Sequence, residues 1–218
     1  MLIEHSAAGG AGVLRLARPD KRNALSDAMV AEGMAAVDDL VARGVRVATL
    51  EARGKIFCAG DDISPDEQRP GRVHTADRFA EYLAAAPVFW VAVVHGPVLG
   101  AGVALAAGCP VVLCADDAWF CLPERRTGNF PAFVVERLAP VVGIRRAIEY
   151  ATTGRQVPAA EAVAAGLATA AVPAGEVAAR AAEHVELIAG QPEVAAAAAA
   201  RWARAWGSPA GGRPGETA

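Results

Sequence analysis

Three short segments combine residue types that can do chemistry. Gly100-Ala101-Gly102 follows an apolar, strand-like run and opens a helix-like one. Small residues at such a turn let a ligand approach the backbone, and the first N–H groups of a helix have no internal partner. Such groups can hold an anion, or an oxygen on which negative charge develops. Phe57-Cys-Ala-Gly-Asp-Asp-Ile63 is a second small-residue loop of the same kind. Two backbone donors from different loops converging on one oxygen would make an oxyanion hole; either loop alone reads as an ordinary tight turn. Glu124 supplies a base. It stands straight after the apolar run Trp119-Phe-Cys-Leu-Pro, where desolvation raises a carboxyl pKa into a useful range. The competing reading is a surface pair with Arg125 or Arg126. A first check on that reading is whether Glu124 points into the largest apolar pocket.

Other chemistries are excluded or weak. Gly100, Gly102 and Leu105 occupy the three positions of a G-x-G-x-x-G fingerprint, but leucine is too large for the third. There is no phosphate-binding G-x-x-x-x-G-K-[ST] loop and no G-x-S-x-G elbow. Cys58, Cys109, Cys114 and Cys121 have no C-x-x-C spacing and no histidine placed to complete a zinc set, so they read as buried thiols in a reducing, cytoplasmic setting, with no metal site. The net charge is −3, which gives no basic footprint for nucleic acid. The start, Met-Leu-Ile-Glu-His, lacks the pattern of a signal peptide. Ala84 to Ala115 contains no Asp, Glu, Lys or Arg and is long enough to resemble a membrane span. Gly96-Pro97, Gly100, Gly102, Gly108 and Pro110 break it into strand- and helix-sized pieces, so it reads as the buried centre of an α/β domain rather than a membrane segment.

The 218 residues suit one ordinary domain, with 54% apolar residues to fill its core. Strands are expected at 12–16, 45–50, 89–94, 111–114, 118–121 and 168–172. Ser26 caps a helix over 27–42, and further helices fall at 76–85, 99–107, 134–138, 145–152, 159–164 (opened by Pro158 and ended by Gly166), 176–189 and 193–205. Residues 61–72, rich in acids and prolines, read as a mobile surface segment. The organisation expected is a core domain over 1–190, a short helical segment over 191–207 and a disordered tail over 208–218. Strands alternating with helices early, and helices dominating late, indicate an α/β fold.

Five segments, in order, resemble the crotonase (enoyl-CoA hydratase/isomerase) superfamily: Arg18-Pro-Asp-Lys-Arg-Asn-Ala-Leu25, Phe57 to Ile63, His95-Gly-Pro-Val-Leu-Gly-Ala-Gly102, Phe120-Cys-Leu-Pro-Glu124, and Thr153-Gly-Arg155 with Ala160-Glu-Ala162 and Ala165-Gly-Leu167. They span about residues 13–172. The resemblance implies a spiral of ββα units, assembled as a homotrimer or hexamer, that takes acyl-CoA thioesters and uses no cofactor beyond the coenzyme A of its substrate. It implies that the N–H groups of Asp61 and Ala101 hold the thioester oxygen as it becomes an enolate, with Glu124 as the catalytic acid–base. Coenzyme A contacts map to Ala24, to Ala59, Gly60, Asp62 and Ile63, and to Gly100.

The departures from the family pattern direct the choice of reaction. Two-glutamate hydratases carry a second Glu at the position of Ala104. Water addition is easiest with two carboxylates, whereas a double-bond shift needs only one base. The pattern therefore points to a Δ3-Δ2 enoyl-CoA isomerase type of reaction with Glu124 as shuttle. Hydration of 2-enoyl-CoA, decarboxylation of a malonyl-type thioester and a non-catalytic acyl-CoA-binding role are the alternatives. His95 replaces the common asparagine and reads as structural, Pro110 replaces an aspartate, and Asn129 is placed to face the acyl group. The last helices of the family, which cover the acyl pocket, are shortened here to 193–205.

Overall fold

The chain opens with a hairpin, β1 (Ile3–Ala8) and β2 (Ala11–Leu16), closed by the two-residue turn Gly9-Gly10. The computed structural model describes residues 1–64 and 75–207. Most of the segment expected to be mobile, and all of the tail expected to be disordered, lie outside those residues. β1 was not expected, because only Ile3 of its six residues is buried and no alternation marks it. β2 alternates cleanly, with Gly12, Leu14 and Leu16 turned inwards.

β2 leads through a 3-10 turn at Pro19–Lys21 into α1 (Asp27–Ala42), whose N-cap Ser26 accepts a hydrogen bond from the Met29 N–H at 3.3 Å. Then come β3 (Val47–Ala52), α2 (Thr75–Ala85), β4 (Phe89–Val94), β5 (Val98–Leu99) and α3 (Ala101–Ala107). They are followed by β6 (Val111–Ala115), β7 (Trp119–Cys121), a 3-10 turn at Pro123–Thr127, α4 (Ala132–Val142) and α5 (Ile144–Thr153). The chain continues with β8 (Val157–Pro158), α6 (Ala159–Ala165), β9 (Ala170–Val172), α7 (Val177–Ala189) and α8 (Pro192–Gly207).

The larger sheet has the order β1-β2-β3-β4-β6-β9, parallel except for the first pair. The apolar stretch 84–115 is its centre, where Trp90, Val91, Ala92, Val94, Leu113 and Cys114 are all buried. Among the described residues no helix is long and apolar enough to cross a membrane.

A smaller sheet, β5-β7-β8, stands beside the larger one. β4 passes through β5 into α3, and β6 passes through β7 into α4. Between β3 and α2, Cys58 forms a parallel bridge to Val98, so the 57–61 loop acts as a rudimentary strand of the smaller sheet. The fold is thus a spiral of ββα turns. α3 begins at Ala101 rather than Leu99, because Leu99 pairs with Cys121 in β5 and Gly100, at φ +54°, turns the chain. α4 and α5 are longer than their apolar patterns suggest, and α4 contains Pro140.

α8 closes the helical layer. The Trp202 indole donates to the Gly108 carbonyl at 2.7 Å, just past the end of α3. Buried Trp206 stacks under the Arg137 guanidinium, which lies 5.3 Å from its ring and pairs with Glu81.

Candidate active site

Two loops and one turn meet where the two sheets adjoin. The 57–62 loop runs along β5: the Phe57 N–H donates to Pro97 O at 3.0 Å, and the Leu99 N–H to Cys58 O at 2.8 Å. On its other side, the Leu25 N–H donates to Gly60 O at 2.8 Å and the Asp62 N–H to Leu25 O at 3.1 Å. This is the parallel pairing of Leu25 with Asp61. In that pattern Leu25 bonds to the residues flanking Asp61, so the Asp61 N–H is directed away from Leu25.

Gly60 has φ +86°, and a Cβ built there would lie 2.9 Å from Leu99 O, 3.0 Å from Ala101 N and 3.3 Å from Gly100 Cα. The contact between loops is therefore backbone against backbone, and only glycine leaves room for it. Ala101 is the first residue of α3, where the N–H precedes the helix's first internal hydrogen bond. The structure thus brings residues 60–61 and 100–101 together, as the two-loop arrangement requires.

Glu124 completes the cluster. Its Oε1 would lie 2.8 Å from a Cβ on Gly100. Its Oε2 is buried and, among the described residues, has no hydrogen-bond partner. Burial pushes this carboxyl above its ordinary pKa, with the residue's own backbone amide opposing the shift. The surface pair with Arg125 does not form, because the Arg125 guanidinium turns to the carbonyl of Thr153 at 2.9 Å.

The other expected contact residues are distributed around this seam. Ala24 and Ala59 are half-buried, and the Ala59 N–H donates to Arg22 O at 3.1 Å. The Asp62 carboxylate faces inwards, 2.5 Å from Arg18 Nη1, with its side chain 6% exposed. Burial acts to raise its pKa, but the bonds from Arg18 and Ser64 prevail and hold it below the ordinary range. Ile63 is 68% exposed. Asn129 does not reach inwards: it is exposed, and its side-chain amide donates to Thr127 Oγ1 at 3.1 Å. His95 Nε2 lies 2.8 Å from the Gly54 carbonyl, and the ring packs edge-on against Phe57, a structural role.

Two hollows lie elsewhere on the described surface. A cavity of about 260 Å³ lies between α7 and β1–β3, lined by Gly12, Thr49, Glu51 and Ala181. A wider hollow borders the α7–α8 corner at Glu186, Leu187 and Gln191. Neither is lined by Glu124.

Asn23 was missed as a site-building residue. It is fully buried at φ +53°, accepts from the Arg18 N–H through Oδ1 at 2.9 Å, and donates through Nδ2 to Arg53 O and Ile56 O, each at 2.8 Å. It ties the 18–25 and 53–62 loops together. An asparagine amid charged turn residues was the available signal, since asparagine tolerates left-handed backbone.

The enoyl-CoA hydratase/isomerase family model matches residues 6–208. The chain belongs to that family. It is 32% identical over 203 residues to a Dictyostelium discoideum protein described as a probable mitochondrial enoyl-CoA hydratase, covering 88% of this chain and 71% of the other. It is 36% identical over 172 residues to a probable enoyl-CoA hydratase of Mycobacterium tuberculosis, covering 76% and 66%. The crystal structure of an enoyl-CoA hydratase from Mycobacterium smegmatis superposes with a TM-score of 0.86 at 28% identity, over 94% of this chain and 83% of that one. The crotonase fold and superfamily membership expected from the five motifs are therefore correct.

Proposed function

We propose that this member of the family polarises an acyl-CoA thioester with the N–H groups of Asp61 and Ala101 and moves a proton with Glu124 alone. The observation that carries the reading is the buried Oε2 of Glu124 beside Gly100, which has no partner among the described residues. A buried carboxylate oxygen without a partner is costly. Here it stands next to the two backbone segments suited to an oxyanion. On a 3-enoyl thioester, the Glu124 carboxylate takes the proton from C2. The electron pair moves into the thioester carbonyl, whose oxygen the two N–H groups hold. The same carboxyl returns the proton at C4, leaving the double bond between C2 and C3. No net oxidation occurs and no water is consumed, so one base suffices.

Ala104 supports isomerisation over hydration. It is fully buried within α3 and offers no carboxylate to orient a water. Hydration is the second reading, favoured by the names of the similar proteins from Dictyostelium and Mycobacterium.

Glu124→Gln, assayed side by side on 2-enoyl and 3-enoyl thioesters, tests both. Loss of acid–base catalysis should lower the 3-enoyl rate ~10²–10⁴-fold. Unchanged turnover removes Glu124 from the mechanism, and preferential water addition to the 2-enoyl substrate by the wild-type protein selects hydration.

A further inference from the structure

Glu124 is held at a particular place although no side chain among the described residues bonds its Oε2, so its backbone must be fixed by something else. Its carbonyl accepts from the Asn129 N–H at 3.1 Å and from Thr127 Oγ1 at 2.9 Å, which closes the 3-10 turn locally. Those bonds shape the turn but do not anchor it to the rest of the protein. On its N-terminal side β7 holds it, with Cys121 O accepting from the Gly100 N–H at 2.9 Å; the second anchor is the C-terminal end of α5.

Gly154 caps α5 at φ +58°, with its N–H donating to Tyr150 O at 3.0 Å. The Cys121 thiol donates to the Gly154 carbonyl at 3.3 Å. The Arg125 guanidinium donates to Thr153 O at 2.9 Å. A Cβ on Gly154 would lie 2.8 Å from Arg125 Cδ, 2.9 Å from its Cγ and 3.1 Å from Leu122 O. The arginine stem thus lies flat on the glycine, and residues 121–125 are gripped at both ends. The last carbonyls of a helix lack internal partners and carry its negative end, which suits a guanidinium.

We infer that Arg125 is a positioning residue for Glu124, clamping the 3-10 turn to the end of α5 so that the carboxylate stays in the seam beside Gly100. It acts through the backbone and not through charge contact with Glu124. The inference rests on the reading of Glu124 as the base. It explains why an exposed arginine beside the base points away from it.

The test measures kcat, KM and the pH profile of 3-enoyl-CoA isomerisation for Arg125→Ala, Arg125→Lys and Glu124→Gln, with thermal unfolding alongside. Misplacing a catalytic group by about 1 Å costs ~10²-fold. Arg125→Ala should lose kcat on that scale with KM little changed and cooperative melting retained. The acidic limb of its profile should move down toward the ordinary carboxylate range, because a loosened turn lets water reach Glu124. Arg125→Lys keeps a donor for Thr153 O and should recover part of the loss. Wild-type kcat and an unmoved acidic limb in Arg125→Ala, with Glu124→Gln inactive, overturn the clamp while leaving the base in place. Full activity in Glu124→Gln overturns both and locates the failure in the assignment of the base.

Discussion

A methyl group added at Gly60 probes the meeting of the two loops directly. In Gly60→Ala the new carbon would lie 2.9 Å from Leu99 O and 3.0 Å from Ala101 N. Both are main-chain atoms held in the smaller sheet and at the start of α3, so neither can swing aside as a side-chain tip would. One loop must move, and under the proposed function the N–H groups of Asp61 and Ala101 then cease to aim at one oxygen. Losing one such donor costs about 2.7–4 kcal/mol of barrier, or ~10²–10³ in kcat. Alanine at φ +86° adds about 1–2 kcal/mol of backbone strain to the folded state.

Gly44→Ala separates the two effects. Gly44 has φ +77° but nothing within 4 Å of its Cβ position, so that variant carries the strain and not the collision. The assay is steady-state turnover of 3-enoyl and 2-enoyl thioesters, paired with urea unfolding of both variants. Gly60→Ala should remain folded and lose activity on the scale given, while Gly44→Ala loses only stability. Equal kcat values for the two variants would refute convergence of the loops as the source of catalysis.

Two further outcomes concern stability. Arg18→Met removes the guanidinium from a buried carboxylate and should cost ~3–5 kcal/mol in urea unfolding at neutral pH. Because the Asp62 pKa is held low, the pair stabilises above the ordinary carboxylate pKa and that contribution is lost as pH falls through the folded value; the gap between wild type and variant should close in acid. Glu124 has the opposite sign. Its raised pKa penalises folding once the carboxyl ionises, so its neutral form is favourable at low pH and that advantage is lost as pH rises through the folded value. Glu124→Gln should therefore melt above wild type at pH 8 and close to it at pH 4; a lower Tm at pH 8 would contradict the burial argument.

The parallel core of the fold was legible because strands buried on both faces leave an unmistakable apolar record, as 89–94 and 111–114 do. Caps were legible where one side chain decides them, as Ser26 does. β5 and β8 were not: two-residue strands carry no periodicity, and Leu99 in an apolar run reads equally as helix. β1 escaped for a different reason, since pairing with β2 defines it and burial does not.

At the site, the 57–63 and 100–102 loops and Glu124 stood out as small-residue turns and an acid after an apolar run, while the individual donors and contacts within those loops came from the family resemblance. Arg125 could not be placed. Its sequence neighbour suggested an ion pair, and only the approach of residues 153–154, distant along the chain, reveals the better partner. The inward turn of Asp62 was hidden likewise, because Arg18 lies 44 residues away.

The bond from Trp202 to Gly108 O couples two ends of one short rod. α3 has seven residues and is about 10 Å long, with Ala101 at one tip and the indole's acceptor just beyond the other. No hinge intervenes. Under the proposed function, a substitution at Trp202 in the final helix therefore perturbs the end of the rod opposite the proposed oxyanion donor, and its effect on turnover reads how far that strain travels along α3.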